Sequence, residues 1–237
     1  MATKLVVFDL HGVLLSAVPG GHQKFRERLE ATDQQWTIIQ DKFLTGHDSW
    51  SRLERGEYSL DHWAESFVAF CSEIGVICNR ELAKTIWGDP SPFEGSTLYE
   101  NLFAYLFALK LKGISVALAT NNIAEWRPIW TELLTDTAIF DFIVDSSEIG
   151  ARKPERAFYA AVEEQATCDV SEILFVDDRA ENIRAAKEFG WSGLHFQTEA
   201  ETMAQMQGLN SKHHSAININ RNSDRSSDLN PGQPRRT

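Results

Sequence analysis

The sequence predicts an α/β protein: a doubly wound parallel sheet with an all-helical segment inserted after the first strand. Short apolar runs recur at 5–8, 114–119, 142–144, 173–176 and 194–196. Runs of that length without polar alternation are typical of strands buried on both faces. Helix-length stretches separate most of them, such as 180–189, which Gly190 closes in the position of a C-terminal cap. Between about Ser16 and Trp87, by contrast, the apolar residues fall at helical spacing and no strand-like run occurs.

Taken in order, the first run, Leu5-Val6-Val7-Phe8, is followed at once by Asp9 and then Gly12, a strand that ends in a tight loop. The insert shows helical spacing over 25–30, 36–43 and 60–74, with Gly56 ending one segment and Ser59 placed to cap the next. Trp36, Trp50, Trp63 and Trp87 all fall in it and are expected to form its core rather than to stack on a ligand. His47, Trp50 and Arg52 are candidate ligand contacts, each more easily read as structural. Gly88-Asp89-Pro90-Ser91-Pro92 reads as the return linker. The expected domains are therefore a core of 1–15 and 92–209, a helical cap of 16–91, and a tail of 210–237. The tail is rich in Ser, Asn, Asp, Arg and Pro, and its composition predicts disorder, with His213-His214 incidental.

Composition narrows the function classes. The 237 residues carry a net charge of −11, and because the tail holds five Lys/Arg against two Asp, the body carries −14. Such a surface repels nucleic acid and anionic membranes, so neither is expected as a partner. A phosphate-bearing ligand would need a local cation or a dedicated lysine. Three cysteines, Cys71, Cys78 and Cys168, form no C-x-x-C pair, which points to a reducing, cytoplasmic setting. No apolar stretch at the N-terminus is long enough for a secretory signal or a membrane span.

Four polar motifs lie at or just beyond the ends of apolar runs, and in an open parallel sheet such positions converge at the carboxyl edge. Asp9, in Phe8-Asp9-Leu10-His11-Gly12-Val13, is a candidate nucleophile or metal ligand. Ala119-Thr120-Asn121-Asn122 offers a hydroxyl and amides to phosphoryl oxygens. Lys153, in Gly150-Ala151-Arg152-Lys153-Pro154, is a compact cation suited to phosphate. Asp177-Asp178, after Phe175-Val176, supplies hard oxygens for Mg2+. Each motif alone reads equally well as a helix cap or a surface lysine.

Together, and in this order, they resemble the haloacid dehalogenase superfamily of aspartate-nucleophile hydrolases. The similarity runs over about 4–198. It extends to Phe140-Asp141-Phe142-Ile143, to Phe158-Tyr159 and to Glu54-Arg55-Gly56-Glu57, which look like the subgroup of glucose-1-phosphate phosphatases and the N-terminal phosphatase domain of soluble epoxide hydrolases. The resemblance implies a Rossmann-like core with a helical cap and Mg2+-dependent hydrolysis of a small phosphorylated metabolite by a monomer or homodimer. It makes Asp9 the nucleophile. It implies Mg2+ held by Asp9, the His11 carbonyl, Asp177 and Asp178, and phosphoryl contacts from Thr120, Asn121 and Lys153. The sequence departs from the family where a second aspartate usually serves as general acid/base. His11 stands there and is the candidate for that role. The departure keeps two other readings open: a weakly active or non-catalytic binding protein, and, against the evidence of the acid pair, a dehalogenase.

Overall fold

The computed structural model describes residues 2–18, 20–44 and 49–207. Five strands, β1 (Leu5–Phe8), β2 (Ser115–Thr120), β3 (Phe142–Asp145), β4 (Ile173–Asp177) and β5 (Ser192–His195), form one sheet in the order β3-β2-β1-β4-β5, every pairing parallel. The chain steps outward from β1 through β2 to β3. It then returns to the other side of β1 for β4, so the winding reverses between β1 and β4.

Alternation along β1 explains the unbroken apolar run. Val6 and Phe8 face one layer with Leu118, Val176 and Trp130. Leu5 and Val7 face the other with Ala119, Phe175, Phe158 and Tyr159. The first layer is covered by α6 (Glu100–Leu111) and α7 (Arg127–Leu133), the second by α9 (Arg156–Gln165) and α10 (Ala180–Glu188). Between β3 and α9 lies a single helical turn, α8 (Ser146–Ile149).

The named elements between β1 and α6 are all helices: α1 (Gly21–Arg28), α2 (Asp33–Ile39) running into a π-turn at Gln40–Leu44, α3 (Ser49–Glu54), α4 (Leu60–Glu73) and α5 (Arg80–Lys84). Ser59 caps α4 as expected, accepting from His62 N at 3.2 Å, and Gly56 takes the left-handed conformation that ends the preceding segment. Phe25, Ile39, Phe43, Trp63, Phe67 and Phe70 make this cap its own apolar core, joined by Ile123 from the sheet domain. Trp36, Trp50 and Trp63 are buried in it, as expected, but Trp87 is only half-buried.

Some boundaries shift for local reasons. The last strand begins at Ser192 rather than 194, because Ser192 and Gly193 pair with Leu174 and Phe175. Gly193 is needed where a Cβ would lie 2.9 Å from Ile183 Cγ2, so an apolar-run criterion passes over it. Residues 199–207 are helical; Met206 enters the first layer and the Glu199 carboxylate accepts from Leu102 N at 2.8 Å in the first turn of α6. The expected tail, with His213-His214, and the candidate contact His47 lie outside the described residues. Among the described residues no helix is long and apolar enough to cross a membrane.

Met206→Ala should therefore cost about 2–3 kcal/mol in urea denaturation, as expected for emptying a packed site. Ile77→Ala, at a position 91% exposed, should stay within about 0.5 kcal/mol of the parent.

Candidate active site

Four strands deliver acidic or hydroxylic side chains to one edge. Asp9 follows β1 directly, and its N–H still donates to Val176 O at 2.9 Å, so it stays in register with β4. The pairing Phe8↔Val176 thereby sets Asp9 beside Asp177, the last residue of β4. Thr120 ends β2 and Asp145 ends β3. This edge lies where the sheet winding reverses, the usual place for a ligand in such folds.

Lys153 reaches this edge from the loop between α8 and α9. Its side chain is 1% exposed. Nζ lies 2.7 Å from Asp9 Oδ1 and 2.9 Å from Asp177 Oδ2, and donates to Ala119 O at 2.9 Å, which uses its three protons. Burial by itself would lower the lysine pKa, but the carboxylates of Asp177 and Asp9 outweigh it and leave the ammonium above its ordinary range. Asp9 moves the other way. Burial, only partly offset by Lys153, and repulsion from Asp177 and Asp178 push its carboxyl up to about 7. Burial and Asp177 also raise Asp178.

Carboxylate oxygens of Asp9, Asp177 and Asp178 all lie within 4.8 Å of one another. Three carboxylates face one ammonium, an excess of two negative charges in a buried setting. A hard divalent cation such as Mg2+ meets that demand, and the all-oxygen donor set fits it. Gly12 shapes the same corner. It holds φ +93°, and a Cβ there would overlap the Asp178 carboxylate, so both its conformation and its close approach require glycine.

Neighbouring side chains hold these groups in place. Asn182, in the first turn of α10, donates to Asp177 Oδ1 and Oδ2 at 3.0 and 3.1 Å, and Arg179 N donates to Oδ1 at 2.8 Å. Asn121 brackets the lysine's backbone: Lys153 N donates to its Oδ1 at 2.8 Å and its Nδ2 donates to Lys153 O at 3.0 Å. The cap clasps the same loop. The Glu54 carboxylate pairs with Arg152 Nε and accepts from Trp50 Nε1 at 3.1 Å, while Arg55 NH1 pairs with Glu155 at 2.9 Å. Ser146 Oγ donates to Glu54 O at 2.6 Å, and Gly56 lies so close to Ser147 O that a side chain would collide with it.

Of the residues singled out from sequence, the structure gathers Asp9, Thr120, Lys153, Asp177 and Asp178 at one edge. Asn121 is there, but both ends of its amide are committed to Lys153. The His11 ring turns elsewhere. It packs against Trp87 and Phe93 at 6.1 and 5.9 Å between centroids, Nε2 has no partner among the described residues, and burial holds the imidazole below its ordinary range. Trp50 is tied to Glu54, and Arg52 pairs with Glu57 at 2.6 Å. Glu54, Arg152 and Asn182 were in view in the sequence without a role. Only Asn182 had a readable signal, as the side chain one helical turn into α10 after Asp177.

A family model described as haloacid dehalogenase-like hydrolase matches residues 3–190. The chain belongs to the haloacid dehalogenase-like hydrolases. It is 28% identical to a sesquiterpene phosphatase of Aspergillus oryzae over 87% of this chain and 96% of that one. It is 24% identical to bifunctional epoxide hydrolase 2 of Rattus norvegicus over 87% of this chain, but spans only 39% of that longer protein. In fold it resembles a family enzyme from Bacteroides thetaiotaomicron, with a TM-score of 0.66 at 19% identity, covering 84% of this chain and 96% of that one.

Two measurements check the site of this hydrolase. Glu54→Ala strands the Arg152 guanidinium in a largely buried place and should cost about 3 kcal/mol. In EDTA, the melting temperature should fall between about pH 5 and about pH 8. Folded Asp9 keeps its proton to about 7, whereas the unfolded chain releases it near the ordinary carboxylate value. This stabilisation is complete below that ordinary value and is lost as pH rises through about 7. Mg2+ should flatten the slope, and Asp9→Asn should remove Asp9's share of it.

Proposed function

We propose that this hydrolase is a Mg2+-dependent phosphatase that cleaves a small phosphomonoester through an aspartyl-phosphate on Asp9. The observation that carries the reading is the Asp9–Lys153–Asp177 arrangement, in which a nucleophile-grade carboxylate shares a buried ammonium beside an acid pair. Phosphatases among the relatives agree with it. Besides the Aspergillus enzyme, phosphoglycolate phosphatase of Yersinia pseudotuberculosis is 26% identical over 80% of this chain and 78% of that one.

The chain's own groups divide the work. Leu10 N and Lys153 Nζ both bind Asp9 Oδ1, at 2.8 and 2.7 Å, which leaves Oδ2 to attack phosphorus. As that bond forms, the ester P–O bond breaks and the alcohol oxygen takes a proton from water. Water then attacks the phosphorus of the aspartyl-phosphate, releasing phosphate and restoring the carboxylate. Lys153 favours the anionic form of Asp9 against its burial and offsets charge on the phosphoryl oxygens, and the Thr120 hydroxyl donates to them. Asp9, the His11 carbonyl, Asp177 and Asp178 would hold Mg2+, which supplies electrostatic stabilisation to the transferring phosphoryl group. The His11 ring, packed among aromatic side chains, is left out of proton transfer. Dehalogenation is the weaker reading, because three carboxylates repel an anionic haloacid unless a cation intervenes.

Turnover of a phosphomonoester panel (sugar phosphates, nucleotides, lipid phosphates) with and without Mg2+ tests this. Asp9→Asn should fall below roughly a thousandth of the parent rate, and excess EDTA should abolish activity. Wild-type turnover by Asp9→Asn would overturn the nucleophile assignment, and full activity in EDTA would overturn the metal.

A further inference from the structure

We propose that the seam between cap and core beside Asp9 recognises a bulky, mostly hydrocarbon alcohol, so that the substrate is the phosphomonoester of such an alcohol and not a sugar phosphate or a nucleotide. The proposal rests on the phosphatase reading above.

Five rings from separate segments close into a loop. His11 meets Trp87 at 6.1 Å, Trp87 meets Trp50 at 5.9 Å, and Trp50 meets Trp126 at 6.0 Å. Trp126 meets Phe93 at 6.1 Å, and Phe93 returns to His11 at 5.9 Å. Every pair is edge-on or tilted, and among the described residues no ring pairing joins any of the five pairs across the loop. A solid aromatic core gives such cross-pairings, as Phe43 does with Trp63, Phe67 and Phe70 deeper in the cap. A cycle without them is arranged as a rim rather than as a packed cluster.

The loop stands next to the chemistry. His11 is two residues from Asp9 in sequence, and Trp126 follows the β2 edge that carries Thr120. Trp50 comes from the cap, and Trp87 and Phe93 flank the return linker. Trp50 and Phe93 are buried while His11, Trp87 and Trp126 are half-buried, so the loop keeps an accessible side.

The lining sets the chemical class. Aromatic faces and edges favour hydrocarbon. The nearby buried nitrogens without a partner among the described residues include His11 Nε2, Trp87 Nε1, His22 Nε2, whose ring lies 4.4 Å from Trp87, and Trp63 Nε1, whose ring lies 5.3 Å from Trp50. A few scattered donors of this kind suit an isolated oxygen on an apolar body, but they are too few for the hydroxyls of a sugar or the edge of a base. Nor, among the described residues around the loop, is a free cation provided for the further phosphates of a nucleotide. Arg152 is paired with Glu54 and Arg127 with Asp145, and among the described residues no lysine or arginine stands over any of the five rings.

The test compares esters of like reactivity. Decyl phosphate below its micelle concentration, glycerol 3-phosphate and glucose 6-phosphate are all primary alkyl esters. With Mg2+, kcat/KM should be at least roughly a hundredfold higher for the decyl ester. Equal or better turnover of the polar esters would overturn the proposal while leaving the phosphatase reading intact. Inertness of all three together with p-nitrophenyl phosphate would overturn both. Trp87→Ala and Trp126→Ala, each checked for a cooperative melt, should lower the decyl-to-glycerol selectivity at least about tenfold. A readout independent of ring variants is titration of Asp9→Asn with decyl phosphate, which should quench intrinsic tryptophan fluorescence saturably. Unchanged selectivity in a folded variant, or no quenching, counts against the ring.

Discussion

The structure depends on one buried ammonium. Asp9 and Asp177 end adjacent parallel strands, so the sheet itself forces two carboxylates together away from water. Lys153 answers both and spends its remaining proton on Ala119 O. Without it the strand ends would carry unpaired buried charge, which is far costlier than a missing surface pair. Much of the surrounding detail reads as a means of keeping that Nζ in place: Asn121 fixes the lysine's backbone, Asn182 orients Asp177, and the Glu54–Arg152 pair holds the preceding residue from the cap side.

The pair of charges on Asp9 and Lys153 also bears on the proposed phosphoryl transfer. Burial favours the neutral acid at Asp9, and only the ammonium opposes it. A divalent cation at the three carboxylates would shift that balance decisively toward the anion, because it is the largest charge available locally. Under the proposed mechanism the nucleophilicity of Asp9 would thereby be coupled to metal occupancy rather than fixed by the fold alone.

What could be read from sequence follows from how far each signal reaches. The sheet was legible because buried strands announce themselves as unbroken apolar runs, and Asp9, Thr120 and Asp177 were legible because each sits at the end of one. β5 began early because Gly193 answers to Ile183, a contact no hydropathy pattern encodes. Glu54 and Arg152 are 98 positions apart; each was visible, but their pairing depends on how the cap folds back. Asn121 stood among the expected phosphoryl donors because its side-chain chemistry permits it. Only coordinates show that its amide is already committed to Lys153. The direction of the His11 ring was likewise open, since its neighbours Trp87 and Phe93 come from the two sides of the return linker.

That ring direction has a consequence for divergence within the family. A backbone carbonyl is the same at any residue, so the part of His11 proposed as a Mg2+ ligand is indifferent to mutation, while the part that varies faces the aromatic seam. Trp50, Trp87, Phe93 and Trp126 likewise lie outside the Asp9–Lys153–Asp177 set. On the proposed reading, selection could therefore rewrite what the seam accepts, residue 11 included, as a module separate from the carboxylate–lysine edge. A lineage built this way can change diet without relearning its chemistry.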